Sequence, residues 1–260
     1  MAKCLRDEEG GCRRCDGGLD FDFTMAFQPI VDVAAGAPFA YEALVRGVNG
    51  EGAGAILSQV QPCSLYRFDQ ACRIRALEIA DRLGCPCPVS INFLPNAVYE
   101  PSACIEATLA VARELGWPES RIMFEVMETE EVRDRAHLQN IVESYNAMGF
   151  WTAIDDFGAG YANLELLADL QPDVVKIDRH LVCAIHESPR RQIILETLVT
   201  LAARLNIRLV AEGVETGEEA AWLLSAGITL QQGYWFAYPA IETLPIVDEA
   251  RIEAARRRSA

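Results

Sequence analysis

Polar side chains recur at the ends of short apolar runs along this chain. The set consists of five carboxylates, one amide and one lysine: Glu42, Asn92, Glu125, Asp155, Asp156, Lys176 and Glu212. Carboxylates that a fold gathers in one place repel one another unless a divalent cation lies among them, and oxygen ligands suit Mg²⁺ or Mn²⁺. The adjacent Asp155 and Asp156 can bridge two metal ions that hold a phosphoryl group. A lysine among them can orient a water molecule or neutralise developing charge.

Taken singly, each of these positions is also typical of a solvated strand end or a helix cap. The segment Asp155–Gly158 can be an ordinary turn, and Lys176 can extend its stem over apolar surface with its amine in water. The chemical interpretation therefore depends on an arrangement of elements that brings all of these side chains to one place.

Short β-rich runs alternate with helical patterns over most of the chain. Eight runs are predicted to be strands: Met25–Val33, Phe39–Arg46, Pro88–Phe93, Arg121–Glu128, Trp151–Asp156, Val174–Asp178, Arg208–Glu212 and Leu230–Phe236. Helices are predicted at Tyr66–Leu83, Ser102–Leu115, Arg135–Met148, Arg190–Leu205, Glu218–Ser225 and Ile252–Arg258. Only Ala34–Pro38 separates the first two strands, which is too short for a crossover helix and predicts an antiparallel pair.

This pattern predicts an α/β fold, a modified (β/α)8 TIM-like barrel with an antiparallel first strand. An open doubly wound sheet is the alternative, but no Gly-x-Gly-x-x-Gly follows a strand to support a dinucleotide site. In a barrel, residues at the carboxyl ends of different strands converge at one mouth. The barrel therefore predicts that the polar set lies together.

Charge and hydropathy exclude several classes of partner. The chain has 260 residues and a net charge of −15, which argues against long nucleic acid and against an anionic membrane surface. No apolar run approaches the ~18 residues of a membrane span, and the amino terminus has no apolar core of a signal peptide. We therefore expect a cytoplasmic protein.

The amino-terminal segment differs from the rest in composition. Residues 1–22 are polar and Gly-rich and predict a Cys-containing tail, with the barrel over residues 23–260. The chain has nine cysteines, an odd number that argues against a disulfide scaffold. Cys12 and Cys15, with Cys4 upstream, have a metal-like spacing but lack the fourth ligand of a structural zinc site. Incidental thiols and a metal or redox site shared between chains both stay open.

A series of segments resembles the EAL domain family, in the family's order. These segments are Phe27–Val31, Tyr41–Arg46, Phe124–Glu128, Asp155–Tyr161, Lys176–Asp178, Ala211–Glu215 and Gln232–Tyr234. The resemblance spans about residues 24 to 245, and Glu42-Ala43-Leu44 matches the signature tripeptide. It implies a cyclic di-GMP-specific phosphodiesterase on a TIM-like barrel, which forms linear pGpG by means of a water activated by two metal ions.

The resemblance also implies a role for each matched position. One Mg²⁺ or Mn²⁺ ion would be bound by Glu42, Asn92, Glu125 and Asp155, and a second by Asp155, Asp156 and Glu212. The implied catalytic residues are Lys176, which contacts the attacking water, and Glu212 as a general base. Substrate contacts fall on Gln28, Arg46, Asp178 and Gln232. Glu128 and Glu215 would stabilise the loop Phe157–Asn163, which carries dimer contacts in the family and implies a homodimer.

Two departures from the family pattern lie in or beside that loop. Met127 replaces the family's threonine, and Ala159, Ala162 and Asn163 replace a threonine and two serines. They leave the metal ligands intact but bear on loop ordering and turnover. The alternatives to an enzyme are a non-catalytic cyclic di-GMP receptor and a protein-interaction module on the same fold; a different metal-dependent barrel hydrolase is a third hypothesis. Control through the tail, the dimer interface or a regulatory partner in trans is left open.

Overall fold

The computed structural model describes residues 19–98, 100–126, 135–159 and 164–259. The strands are β1 (Thr24–Asp32), β2 (Ala37–Arg46), β3 (Val89–Phe93), β4 (Ile122–Val126), β5 (Trp151–Phe157), β6 (Val174–Ile177), β7 (Arg208–Ala211), β8 (Leu230–Gln231) and β9 (Ala240–Ile241). The helices are α1 (Ala53–Leu57), α2 (Leu65–Arg82), α3 (Pro101–Cys104), α4 (Glu106–Leu115), α5 (Arg135–Met148), α6 (Leu164–Asp169), α7 (Arg179–Val182), α8 (Pro189–Leu205), α9 (Gly217–Ser225) and α10 (Glu249–Ser259). Within these described ranges, no helix has both the length and the apolarity that a bilayer crossing requires.

The first eight strands close into a barrel. Strands β2 to β8 pair in parallel in chain order. Strand β1 lies between β2 and β8 and is antiparallel to both, and β9 pairs with β1 from outside. A tight turn joins β1 to β2, in which Gly36 has a φ of 79° and donates its amide to Asp32 O. The predicted TIM-like barrel with an antiparallel first strand is confirmed.

The barrel interior consists of an apolar layer and a polar layer. The apolar layer is one buried cluster: Ile30, Ala40, Met123, Ala153, Val174, Val210 and Leu230. Two positions closer to the mouth on the same segments, the side chains are polar: Gln28, Glu42, Glu125, Asp155, Lys176, Glu212 and Gln232. Because side chains alternate along a strand, residues two apart face the same side. The strand period therefore places these seven polar side chains above an apolar floor.

Helices cover the outer face of the barrel. An aromatic cluster joins α5 to β3 and β4, with ring centroids 4.9 Å apart for Phe124 and Tyr145 and 5.1 Å apart for Phe124 and Phe150. The buried Arg73 of α2 lies over the Phe124 ring at 5.6 Å and pairs with Asp69 of the same helix. Asp69 also accepts a hydrogen bond from Leu94 N at 2.9 Å. Strands β3 and β4 are thus held in place from outside.

Two predicted elements differ most from those in the structure. The helix predicted at Ser102–Leu115 is interrupted at the fully buried Ile105, which separates α3 from α4. The last predicted strand, which is β8 in the structure, ends at Gln231 instead of Phe236. Two residues further on, Gly233 lies against the Val214 backbone, where an added Cβ would lie 2.1 Å from Val214 O. The short elements α1, α6, α7 and β9 have too few residues for a clear periodic pattern, and the sequence did not predict them.

The described part of the predicted tail contacts the barrel. Leu19 and Phe21 pack against the core, and the Phe21 and Phe68 ring centroids lie 6.0 Å apart. Cys4, Cys12 and Cys15 lie outside the described residues. The division into a tail over residues 1–22 and a barrel over residues 23–260 stays a prediction.

Candidate active site

The amine of Lys176 lies among four carboxylates from different segments of the barrel. Its Nζ is 2.7 Å from Glu212 Oε1, 2.8 Å from Glu125 Oε2, 3.0 Å from Asp155 Oδ1 and 3.4 Å from Glu42 Oε2. Burial alone lowers the pKa of Lys176, but the four negative charges more than offset this effect and raise it well above its ordinary value. The amine is therefore a permanent positive charge in the polar layer.

Glu125 is fully buried, and hydrogen bonds from neighbouring side chains take the place of water around it. It accepts hydrogen bonds from Lys176 Nζ at 2.8 Å and from Ser90 Oγ. Burial raises the pKa of Glu125 to about 8, although the charge of Lys176 opposes this shift. The sequence analysis missed Ser90. Its signal was its position two residues before Asn92 on an apolar strand, which places both side chains on one face.

Glu42 is the acceptor of an amide network at the mouth. Asn92 Nδ2 donates to its Oε1 at 3.0 Å, and Gln232 Nε2 donates to its Oε2 at 2.7 Å. Gln28 lies opposite Glu42 in the β1–β2 register, and its Oε1 is 3.3 Å from Gln232 Nε2. The structure thus brings two of the predicted substrate-binding residues, Gln28 and Gln232, into contact with the predicted metal ligands.

Asp155, Asp156 and Glu212 form an acidic trio. One oxygen from each residue lies within 4.8 Å of the other two. Consecutive side chains on a regular strand point to opposite faces, so two adjacent aspartates would not normally meet. Asp156 has a left-handed backbone with a φ of 52°, and the register of β5 shifts between Ile154 and Phe157. This local irregularity brings both carboxylates to the mouth.

Burial and like charges act on the trio together. Burial raises the pKa of Asp156, and the charges of Asp155 and Asp178 add to this shift. Burial also raises the pKa of Glu212 well above its ordinary value; Lys176 opposes this, while Asp155 and Glu42 reinforce it. The ionised forms of Asp156 and Glu212 are therefore disfavoured unless a further positive charge lies beside them.

Two buried oxygens test whether the site fits a metal ion. Among the described residues, Asn92 Oδ1 and Asp155 Oδ1 have no hydrogen-bond donor. Asp155 Oδ1 has only its ionic contact with Lys176 at 3.0 Å. A buried acceptor without a partner is costly, and amide and carboxylate oxygens are the ligands that hard divalent cations prefer. The donor set therefore fits the Mg²⁺ or Mn²⁺ that the resemblance implies.

A cavity of about 260 Å³ opens above the polar layer. Its floor includes Gln28, Glu42, Asp156, Glu212 and Gln232, and its rim includes Asp178, Arg179, Glu215 and Tyr234. At the rim, Arg179 Nη2 lies 2.8 Å from Glu215 Oε1. The sequence analysis missed Arg179, whose signal was its place directly after Asp178 at the end of β6.

The remaining predicted residues lie further from the polar layer. Asp178 caps α7 by accepting a hydrogen bond from His180 N at 2.8 Å. Arg46 is four residues beyond Glu42 on β2, does not line the described cavity, and donates to Val45 O at 2.7 Å. Glu128 lies outside the described residues, as do residues 160–163 of the predicted loop.

A capping box fixes the segment that follows Glu212. Thr216 is the N-cap of α9 and accepts a hydrogen bond from Glu219 N, while the buried Glu219 carboxylate accepts from Thr216 N at 3.0 Å. Glu219 also accepts from Glu215 N at 2.9 Å. Because one carboxylate holds both amides, the position of Glu215 depends on the start of α9.

Comparisons with known proteins agree with this geometry. The EAL domain family matches residues 19–239. The blue light- and temperature-regulated antirepressor BluF of Escherichia coli K12 is 33% identical over 229 residues, which cover 85% of this chain and 55% of BluF. The probable cyclic di-GMP phosphodiesterase PdeN of the same organism is 32% identical over 241 residues, which cover 88% of this chain and 45% of PdeN. The chain spans about half the length of these curated relatives.

Solved structures show the same fold. A standalone EAL protein from Vibrio cholerae O395, in its cyclic di-GMP-bound form, has a TM-score of 0.87 and 50% identity, covering 90% of this chain and 99% of that chain. BlrP1 of Klebsiella pneumoniae, in a complex with manganese and cyclic di-GMP, has a TM-score of 0.81 and 33% identity, covering 86% of this chain and 57% of that chain. The family match, which extends over most of the described barrel, makes this chain a member of the EAL domain family.

Proposed function

We propose that this protein is a metal-dependent phosphodiesterase that hydrolyses cyclic di-GMP to linear pGpG. One observation carries the proposal: four carboxylates meet the amine of Lys176 at the mouth of the barrel, within 3.4 Å. A solved relative binds cyclic di-GMP, and a curated relative is named as a probable phosphodiesterase for it. Membership of the same family supports the same substrate here.

The proposed cofactors are two Mg²⁺ or Mn²⁺ ions. Glu42, Asn92, Glu125 and Asp155 would hold one ion, and Asp155, Asp156 and Glu212 would hold the other. When bound, the ions would act as Lewis acids that activate a water molecule and neutralise phosphate charge. Asn92 Oδ1, which is buried and has no donor among the described residues, supports this ligand set, as does Asp155 Oδ1, whose only contact among those residues is the ionic one with the Lys176 amine. A relative that holds manganese together with cyclic di-GMP supports the choice of metal.

The protein's own catalytic groups are Lys176 and Glu212. The protonated amine lies 2.7 Å from Glu212 Oε1, so it holds that carboxylate in place and presents a donor to a nearby water molecule. Glu212 is the proposed acceptor of the water's proton, because it borders the cavity in which the substrate would lie. Lys176 also offsets the charge that develops on the phosphate in the transition state.

Gln28, Arg46, Asp178 and Gln232 are the proposed substrate-binding residues. Gln232 Nε2 holds Glu42, while Gln232 Oε1 is buried and has no donor among the described residues. That oxygen is free to accept a hydrogen bond from the substrate. Arg46, at the end of β2, offers a planar fork that suits a phosphate oxygen.

The net charge of the protein disfavours a long nucleic acid as substrate but permits a cyclic dinucleotide. A net charge of −15 disfavours long nucleic acid, whose many phosphates need many basic residues. A cyclic dinucleotide has only two phosphates, and the bound cations would neutralise them. We also propose that the enzyme acts in the cytoplasm as a homodimer. Whether the tail, the dimer interface, a regulatory partner in trans or nothing controls it stays open. A monomer mass that does not change with concentration would contradict the dimer.

The proposal is tested by incubating purified protein with cyclic di-GMP and Mn²⁺ or Mg²⁺ and separating the nucleotides by chromatography. We expect linear pGpG, no turnover with a chelator, and no turnover by Glu42→Ala. Glu196→Ala, on the exposed face of α8, is the matched control and should retain activity. Binding without product would overturn the proposal in favour of a receptor. Cleavage of a generic phosphodiester without binding of cyclic di-GMP would overturn the substrate.

A further inference from the structure

Cys85 and Cys87 form a thiol pair between the end of α2 and the start of β3. Cys85 Sγ lies 3.3 Å from Cys87 O, and both residues are free thiols. Only the exposed Pro86 separates them. Cys85 is 5% exposed, whereas Cys87 is half-buried and exposes more of its surface. Cys85 is therefore the more covered thiol, and a small reagent would reach it past Pro86 and Cys87.

The surroundings of the pair favour a reactive thiolate. A hydrogen bond with the Cys87 thiol lowers the pKa of Cys85 to about 7, although burial opposes this shift. The Arg121 guanidinium, which donates a hydrogen bond to Cys85 O, adds to the lowering. The hydrogen bond between the two thiols raises the pKa of Cys87. Sensor cysteines typically combine a stabilised thiolate with a second thiol within reach, because the thiolate reacts with oxidants and the second thiol resolves the product. Cys85 and Cys87 have this division of character.

We propose that Cys85 and Cys87 are a reversible redox modification site that peroxides oxidise to an intramolecular disulfide. The Cys85 thiolate attacks one oxygen of hydrogen peroxide, so an S–O bond forms, the O–O bond breaks and hydroxide leaves. The Cys87 sulfur then attacks the Cys85 sulfenic acid, and its proton leaves with the sulfenic hydroxyl as water. The two thiols lose two electrons in total, and the peroxide gains them.

The backbone around the pair explains why the disulfide would be reversible. Cys85 N donates to Ala80 O at 2.9 Å, and Cys85 O accepts a hydrogen bond from Arg121, so the main chain of Cys85 is anchored on both sides. A disulfide between residues two apart needs local backbone adjustment, and Pro86 and Cys87 are the residues that can move. Strained disulfides are reduced more easily than relaxed ones. We therefore expect thiol reductants to restore the pair.

The pair is connected to the polar layer through the start of β3. Pro88 O accepts a hydrogen bond from Tyr41 N at 3.0 Å, and Tyr41 directly precedes Glu42. Further along β3, Ser90 holds Glu125, and Asn92 holds Glu42. A displacement of Pro88 would therefore reach the ligands of the proposed metal site. This second step, weaker metal binding by the oxidised protein, rests on the proposed function, whereas the disulfide itself does not.

The disulfide is tested on wild-type protein with stoichiometric hydrogen peroxide, alkylation under denaturing conditions and mass spectrometry. We expect the tryptic peptide Leu83–Arg113 to lose two hydrogens and to resist alkylation at Cys85 and Cys87. Fragmentation separates these residues from Cys104, which lies in the same peptide. Dithiothreitol should restore alkylation at both. Alkylation of both thiols after peroxide, under conditions that oxidise the exposed Cys63 and Cys183, would overturn the proposal.

Three variants test the roles of the two thiols: Cys87→Ser removes the resolving thiol, and Cys63→Ser and Cys183→Ser are the matched controls. In Cys87→Ser the resolving thiol is absent, so we expect dimedone to trap a sulfenic acid at Cys85. In Cys63→Ser and Cys183→Ser the disulfide should form as in wild type. Dimedone labelling of Cys87 in wild type, with Cys85 still reduced, would overturn the assignment of the reactive thiol.

Metal affinity measures the second step separately from activity. Mn²⁺ titration by calorimetry should show about tenfold weaker binding by the oxidised protein, in line with the loss of support around metal ligands. Dithiothreitol should restore the affinity, and Cys87→Ser should lose no affinity on exposure to peroxide. Equal Mn²⁺ affinity of the oxidised and reduced protein would overturn the coupling but not the disulfide. Failure of both forms to bind Mn²⁺ would overturn the proposed function instead.

Discussion

Lys176 Nζ lies 2.8 Å from Glu125 Oε2, and neither side chain is more than 1% exposed. This buried pair belongs to a larger group, because the same amine also contacts Glu212, Asp155 and Glu42. One ammonium cannot balance four ionised carboxylates, and burial together with this deficit raises the pKa of Glu125 and of Glu212. A bound divalent cation would supply the missing positive charge, and so the proposed metal would relieve the repulsion among these carboxylates.

Replacement of Lys176 by Met should lower turnover and stability while leaving substrate binding largely unchanged. We expect turnover to fall by about 100-fold or more, because a positioned donor is lost, with cyclic di-GMP binding largely retained. Without metal the free energy of unfolding should fall by about 3 kcal/mol, because the carboxylates lose their buried counter-ion. Urea unfolding with and without Mn²⁺ measures this, and Mn²⁺ should stabilise the variant more than wild type. Arg113→Met, at an exposed basic position, is the control. Equal loss of binding and turnover would instead make Lys176 a binding residue.

Glu125→Gln should reduce turnover more than Ser90→Ala, because Glu125 is a proposed metal ligand and Ser90 only orients it. Glu125→Gln removes a proposed metal ligand and should abolish turnover. Ser90→Ala removes only the hydrogen bond to Glu125 Oε1, and so Mn²⁺ affinity should fall by about tenfold, as for other residues that support metal ligands. Calorimetric titration and turnover at saturating Mn²⁺ measure the two effects. If excess Mn²⁺ does not restore turnover of Ser90→Ala, its role is not to orient the ligand.

Asp156 is a proposed metal ligand that also has a left-handed backbone, and three substitutions distinguish these two roles. Asparagine tolerates this conformation, whereas alanine is strained in it by about 1 kcal/mol or more. We expect Asp156→Asn and Asp156→Ala to lose Mn²⁺ affinity alike, and only Asp156→Ala to lose stability in urea without metal. Asp156→Gly should recover that stability but not the affinity. Equal stability of all three variants would show that the backbone at this position is not strained.

Asp69 and Arg73 should be strongly coupled in a double-mutant cycle. Removal of one partner leaves a buried charge without its counter-ion, and Asp69→Asn or Arg73→Met should each cost about 3 kcal/mol or more. The double variant should cost clearly less than the two single effects added together. Urea unfolding of the four proteins measures the coupling. Additive effects would mean that the pair does not act as a unit, even though both side chains are buried.

Much of the site could be predicted from local sequence. Strand side chains alternate, so an apolar residue two positions before a polar one, as in Met123 and Glu125 or Val174 and Lys176, predicts an apolar floor beneath a polar layer. The short link Ala34–Pro38 predicted the antiparallel first strand, because no crossover helix fits in it. These patterns lie within a few residues of one another, and they identified the fold and the residues at its mouth.

Contacts between distant segments needed the tertiary structure. Lys176 and Glu125 are 51 residues apart, and Gln232 and Glu42 are 190 apart; barrel closure and strand register decide that they touch. The left-handed backbone at Asp156 reverses the alternation that the sequence pattern assumes. Two further features became visible only in the folded chain. One is the hydrogen bond that Ser90 donates to Glu125, and the other is the position of Cys85 and Cys87 beside Tyr41.

The residue types and the strand period were therefore determined by the sequence itself, because both follow from local backbone geometry. The charge balance was decided only by the tertiary structure. It depends on distances of about 3 Å between side chains of separate strands, and at such distances a shift of one residue in register would separate an ammonium from its carboxylates.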